Sequence, residues 1–206
     1  MIISEFIATQ YLRTLDARQL FQYLVKSTLE SQRDLTDAQL EELQLLMLFD
    51  PGIFEELAES IHKGIWIFAI NDSAVPLITS DNPVGIKAAD SKSWLKHIGP
   101  LADGQYVVYP LSPTVVLYFY EASYWPRLRP FDLKISPVRL NSEMAEHENC
   151  GQAFTSSRFL ISSGRDFDAV REFIPSIGTD LHAPPGRTNQ EEIRRTAEFL
   201  AGRKRS

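Results

Sequence analysis

Several absences narrow what this chain can be. Cys150 is the only cysteine, so no internal disulfide can form and no cysteine-rich metal site is available. Four histidines are spread along 206 residues. No His-Glu-x-x-His pair occurs, which removes the common zinc-enzyme pattern. No Gly-rich phosphate loop is present, so dinucleotide-binding and P-loop readings fail. There is no Gly-x-Ser-x-Gly elbow to expose a nucleophilic serine. The longest apolar runs, Leu45 to Phe49 and Ile65 to Ile70, fall far short of the roughly 20 residues that span a bilayer. The start, Met1-Ile2-Ile3-Ser4-Glu5, has neither the basic region nor the small-residue cleavage site of a secretion signal. Internal repeats and low-complexity tracts are also missing. These absences point to a soluble, cytoplasmic protein with no cofactor and no metal.

What is present suits a globular core. Hydrophobic residues make up 44% and aromatics 11% of the chain, enough for one domain of substantial size. The formal net charge is -6. That balance argues against bulk nucleic-acid binding or attachment to an anionic membrane. The oligomeric state is not encoded in any of these features.

The chain opens helical. Ile3, Phe6, Ile7, Phe21, Leu24 and Val25 share one face of a helix predicted over 2–27. Thr36 and Gln39 have capping-box spacing ahead of a second helix. That helix ends in an all-apolar run, Leu45 to Phe49, which predicts enclosure. Asp50 as N-cap with Pro51 behind it predicts a third helix to Lys63, stopped at Gly64. The character then changes. Strands are predicted over 64–70, 75–79, 105–109 and 114–120, and an edge strand over 133–140 because of Pro137. A helix over 141–154, a short strand over 158–161 and a helix over 166–173 follow. The fold class is therefore α+β: an N-terminal helical lobe packed on a small, mostly antiparallel sheet with interspersed helices. Residues 1–174 read as a single domain, with 2–63 as the lobe and 64–174 as the sheet with its helices. Residues 175–188 read as a linker, and 189–206 as a C-terminal helix with a basic tail.

Two features suggest a site. On a helix wheel of about 100° per residue, Gln10, Arg13 and Arg18 fall inside the apolar arc of the first helix. Arginines on a buried stripe need a negative partner, because an unpaired buried charge is costly. This predicts a buried Arg13, with Asp81 as the chosen partner, serving as a structural ion pair or as an anion pocket. The second feature is Thr79-Ser80-Asp81-Asn82-Pro83 after an apolar run. Such a stretch either caps its own backbone in an Asx-type turn or forms a polar rim at a strand end, where sites concentrate.

Other constellations carry less. Glu143 and His147 are four apart on a predicted helix. His147, however, shares an arc with Met144, Gly151 and Phe154, which favours a packed histidine over a metal ligand. Cys150 reads as inert. Trp125-Pro126-Arg127-Leu128-Arg129-Pro130-Phe131 could stack bases, but its aromatics more often fold back on a sheet.

Three stretches together resemble the family called domain of unknown function 4238. They are Phe6 to Thr14 with Arg18, Ile78 to Val84, and Tyr109-Pro110-Leu111-Ser112-Pro113; Asn149 is a fourth matching position. The resemblance spans about residues 2–165. It implies a His-Tyr-x-Pro-type segment ahead of the helical lobe, which this chain, starting inside the lobe, lacks. It implies no particular reaction. The sequence thus points to a binding or regulatory module that recognises a small anionic or polar ligand through Gln10, Arg13, Arg18, Asp81, Asn82 and Asn149. The alternatives are a metal-independent hydrolase or nuclease-like enzyme, with Asp81 as base and Arg13 as stabiliser, and a structural, partner-binding domain.

Overall fold

A computed structural model describes residues 2–20, 36, 38, 39, 42, 45, 46, 50–96, 104–164 and 167–177. These fall into two compact units, one drawn from residues up to 62 and residue 96, the other from 63–95 and 104–177. The class is α+β, helices with a mostly antiparallel sheet.

In the first unit, helix α1 (Ile2–Leu12) buries Ser4, Ile7, Ala8, Tyr11 and Leu12. Ile3 and Phe6 are exposed, so the buried stripe is not the one predicted. The predicted helix over 2–27 is also interrupted. Residues 13 and 14 are non-helical, and helix resumes over 15–20. Thr14 makes the break. Its hydroxyl donates to the Tyr11 carbonyl at 2.7 Å and accepts from the Ala17 N–H at 3.1 Å, an N-cap in the middle of the expected helix. A wheel drawn through that break loses its phase.

The Thr36–Gln39 capping box forms as expected: Gln39 Oε1 accepts from the Thr36 N–H at 2.9 Å, and Thr36 Oγ1 from the Gln39 N–H at 3.4 Å. Leu45 and Leu46, expected to be enclosed, are exposed; Met47, Leu48 and Phe49 lie outside the described residues. Helix α2 (Pro51–Lys63) starts as read, with Asp50 Oδ1 accepting from the N–H groups of Gly52 and Ile53.

The second unit is built on a six-stranded sheet. Its strands are β1 (Ile65–Ile70), β3 (Gly85–Lys87), β4 (Trp94–Leu95), β5 (Tyr106–Ser112), β6 (Val115–Tyr120) and β7 (Lys134–Ile135), in the order β4-β3-β5-β6-β1-β7. All pairings are antiparallel except β1 with β7. β2 (Thr79–Ser80) and β8 (Leu160–Ile161) form a separate two-stranded pair. Gly64 ends α2 for a packing reason: a Cβ there would lie 1.8 Å from the Phe119 ring.

The predicted return strand over 75–79 does not pair with β1, whose neighbours are β6 and β7. Pro76 has no N–H to offer a ladder. Its carbonyl and the Ile78 N–H are instead taken by the side chain of Asn149, and the Leu77 N–H donates to the Pro113 carbonyl. The segment over 133–140 is an edge, as Pro137 required, but only Lys134 and Ile135 are strand. Helix α3 (Ser142–Thr155) is capped by Asn141, whose side chain accepts from the Met144 N–H. Helix α4 (Asp168–Ile177) follows β8 and carries Pro175 within it. The rest of the predicted linker and the C-terminal helix and tail lie outside the described residues.

Candidate functional site

Register places one row of side chains on one face of the sheet. Lys87 is opposite Tyr106, and Tyr106 is opposite Tyr120. Two residues along β6, Tyr118 emerges on the same face, opposite Ile67 of β1. Helix α3 brings Met144, His147 and Glu148 to these residues, and together they line a cavity of about 650 Å³. The rim comes from Leu128 and Phe131 of a 3₁₀ helix (Pro126–Phe131), from Ser136 to Val138, and from Ser91 and Lys92. The cavity lies wholly within the second unit. Its volume suits a small molecule.

The floor is charged and buried. Lys87 Nζ donates to Glu148 Oε1 at 2.6 Å, and the Tyr118 hydroxyl donates to the same oxygen at 3.0 Å. Lys87 Nζ also sits 4.6 Å from the centre of the Trp94 ring, a cation–π contact. Gly85 and Gly151 make room for that indole: a Cβ on either would lie 2.6 Å or 1.9 Å from it. Two polar atoms on residues lining the cavity have no hydrogen-bond partner among the described residues, Glu148 Oε2 and His147 Nε2; both are buried, as is the likewise unpartnered Trp94 Nε1 beside Lys87. Buried polar groups are rarely left unpaired, and such groups call for an explanation.

The environment moves the titrations as burial requires. Burial lowers the Lys87 ammonium below the usual lysine range, partly opposed by Glu148. Burial, then the nearby Lys87 charge, lowers the His147 imidazole. Burial pushes the Tyr106 phenol up to about 12. Tyr118 and Tyr120 are also raised, by burial first and then, for Tyr118, by the Glu148 carboxylate. The walls are aromatic: Tyr106 and Tyr120 stack at 4.8 Å between centroids, and Tyr118 meets Tyr106 edge-on at 6.1 Å.

The residues singled out in the sequence lie elsewhere. Gln10, Arg13 and Arg18 belong to the first unit, and Asp81, Asn82 and Asn149 to the second. Arg13 was expected to be buried, but it is exposed; Gln10 and Arg18 are half-buried. The reason is the shifted stripe of α1 and the break at Thr14. The other three residues tie the 76–83 segment to α3 and the chain just beyond it. Asn149 Oδ1 accepts from the Ile78 N–H, and its Nδ2 donates to the Pro76 carbonyl, both at 2.9 Å. Asp81 Oδ1 accepts from the Ser157 N–H at 2.9 Å. Asn82 Nδ2 donates to the Thr155 carbonyl at 3.3 Å. Ser80 and Pro83 are held by the two ends of the Gln152 amide.

His147 is half-buried beside Trp94, with ring centroids 6.1 Å apart, and Cys150 is half-buried with its thiol raised by burial. Trp125 folds back onto Tyr120 and Tyr106, while Arg127 and Arg129 are exposed. Among the described residues no cluster of His, Cys, Asp or Glu could hold a metal. No helix among them is long and apolar enough to cross a membrane.

Lys87, Glu148 and the three tyrosines escaped the sequence reading. The tyrosines were legible in part, because Tyr118 and Tyr120 alternate on a strand that the sequence identifies. Lys87 was not, since β3 is only three residues long. No curated protein and no solved structure matches the chain. A family model described as protein of unknown function (DUF4238) matches residues 2–166, and the chain belongs to that family.

Proposed function

We propose that this protein is a small-molecule binding or regulatory module whose ligand occupies the tyrosine-walled cavity beneath α3. The observation that carries this reading is the buried Glu148 Oε2, unpartnered among the described residues, at a cavity of ligand size. An acceptor in that position is costly to leave unmade. A ligand donor would satisfy it. Lys87 is already neutralised by Glu148, which supports a polar ligand over a strongly anionic one.

The internal hydrogen bonds of Asp81, Asn82 and Asn149 support a scaffolding role for that stretch, holding the 76–83 segment on α3. With Asp81 engaged by the Ser157 N–H, the hydrolase reading with Asp81 as base gains no support. The test is a fragment screen by protein-observed NMR on the full chain and on Val138→Trp. Val138 is 57% exposed and lines the rim, so the indole should obstruct the cavity without disturbing the core. Fragments that shift resonances of α3 and β6 in the parent and lose them in the variant support the proposal. An absence of hits, or hits indifferent to the variant, ends it.

A further inference from the structure

We infer that the cavity selects a neutral, flat nitrogen heterocycle that presents a hydrogen-bond acceptor beside an amino donor, as an aminopurine or aminopyrimidine does. This rests on the cavity being a ligand site and names what that site takes.

Three features of the site converge on this class. The first is the paired floor. The ammonium of Lys87 has three N–H donors, and one hydrogen bond of this group is seen, to Glu148 Oε1. The neighbouring Glu148 Oε2 is an acceptor with no partner among the described residues. A spare donor and a spare acceptor therefore belong to two groups that touch at 2.6 Å. Their complement is a group with acceptor and donor side by side, spaced as a ring nitrogen and its adjacent exocyclic amine are. A carbonyl alone leaves the Glu148 acceptor unmet, and a lone hydroxyl must serve both groups through a single oxygen.

The second feature is charge. Lys87 and Glu148 cancel each other at the floor. A cationic ligand would meet Lys87 and an anionic one Glu148, each at short range and away from water, where like charges repel strongly. A neutral ligand meets neither penalty. The third is the wall. Tyr106 and Tyr120 stack at 4.8 Å, and Tyr118 and Tyr120 line the cavity only half-buried. Aromatic faces of this kind favour a planar π-system over a branched aliphatic.

The experiment measures dissociation constants at pH 7.5 by NMR titration for two matched pairs. Adenosine is compared with purine riboside, which lacks only the amino group, and 2-aminopyrimidine with pyrimidine. All four are neutral at that pH. The amino compounds should bind at least tenfold more tightly than their partners. Val138→Trp should abolish binding, and Glu148→Gln should narrow the gap within each pair to under threefold. Should Glu148→Gln fail to fold, Tyr120→Ala supplies the second arm, with at least a fivefold loss for both amino compounds. Equal binding within each pair, in a cavity that Val138→Trp still blocks, overturns the ligand class and leaves the cavity as a binding site. If unrelated fragments bind the cavity and none of these four does, the class is again overturned. No binding by any probe or fragment overturns both.

Discussion

Lys87 Nζ and Glu148 Oε1 lie 2.6 Å apart with side chains only 3% and 6% exposed. Two ions have thus been taken out of water together, 61 positions apart in the chain. Neither tolerates loss of the other, because the remaining charge would be buried alone. Lys87→Met or Glu148→Leu should each cost about 3–5 kcal/mol. The double variant should be more stable than either single one, since an apolar pair often replaces a buried ion pair at little cost. Urea unfolding of all four proteins measures this. Strictly additive losses would show that the pair is not coupled.

Asn149 makes the second test. It replaces a strand partner for the 76–78 backbone, so Asn149→Leu orphans the Ile78 N–H and the Pro76 carbonyl together. The expected cost is about 2–4 kcal/mol. Amide exchange at Ile78 should accelerate more than exchange across β5 and β6. An Ile78 amide that stays as protected as in the parent would contradict the assigned bond.

His147 sets an acid limit. Its folded-state value lies below the ordinary 6.5 because burial, and then Lys87, disfavours the imidazolium. The unfolded chain therefore binds more protons as pH falls below about 6.5. The contribution is present above that pH and is lost as pH falls through the lower, folded value. Urea midpoints measured from pH 7.5 to 5 should decline, and the decline should be shallower in His147→Gln. An unchanged slope in the variant would remove His147 from the account.

The tyrosines set an alkaline limit. Tyr106 is raised to about 12, and Tyr118 and Tyr120 are raised as well, burial being the main cause in each. Stability from these groups is present below the unfolded value near 10 and is lost as pH rises beyond it. Phenolate absorbance at pH 11 in the folded protein should show these three still protonated, and urea denaturation at that pH should release them. Tyr118→Phe should lose about 1 kcal/mol at neutral pH through its bond to Glu148, yet decline less steeply above pH 10. Full ionisation at pH 11 without unfolding would show the cavity wall to be wetter than the structure indicates.

Local signals in the sequence were sufficient for much of the fold. The Thr36–Gln39 box, the Asp50-Pro51 start, Asn141 ahead of α3, and the paired runs that became β5 and β6 are all short-range chemistry. Each depends on a side chain and a backbone group a few residues apart, so nothing distant could overrule it. The α+β class follows from their order.

The sequence misled in two ways, through a local cap that interrupted a longer pattern and through partners far away in the chain. Thr14 is unremarkable as a letter, yet as a cap it broke the first helix, moved the buried stripe to Ile7, Ala8 and Tyr11, and left Arg13 exposed. The 75–79 run reads as a strand, but its backbone partner is the Asn149 side chain, contributed from a helix 71 positions away. The cavity is the fullest case. Lys87 and Glu148 look like solvated charges in the sequence, and α3 carries few large apolar residues to mark an inner face. Its buried side chains include Glu148, Asn149 and Gln152. A buried polar face has no hydrophobic period to read, because each of its residues is compensated by a particular partner on another element. The sequence by itself determined the class, the caps and most element positions. Only the tertiary structure decided which polar groups meet, since that pairing depends on register and helix docking and on no local pattern.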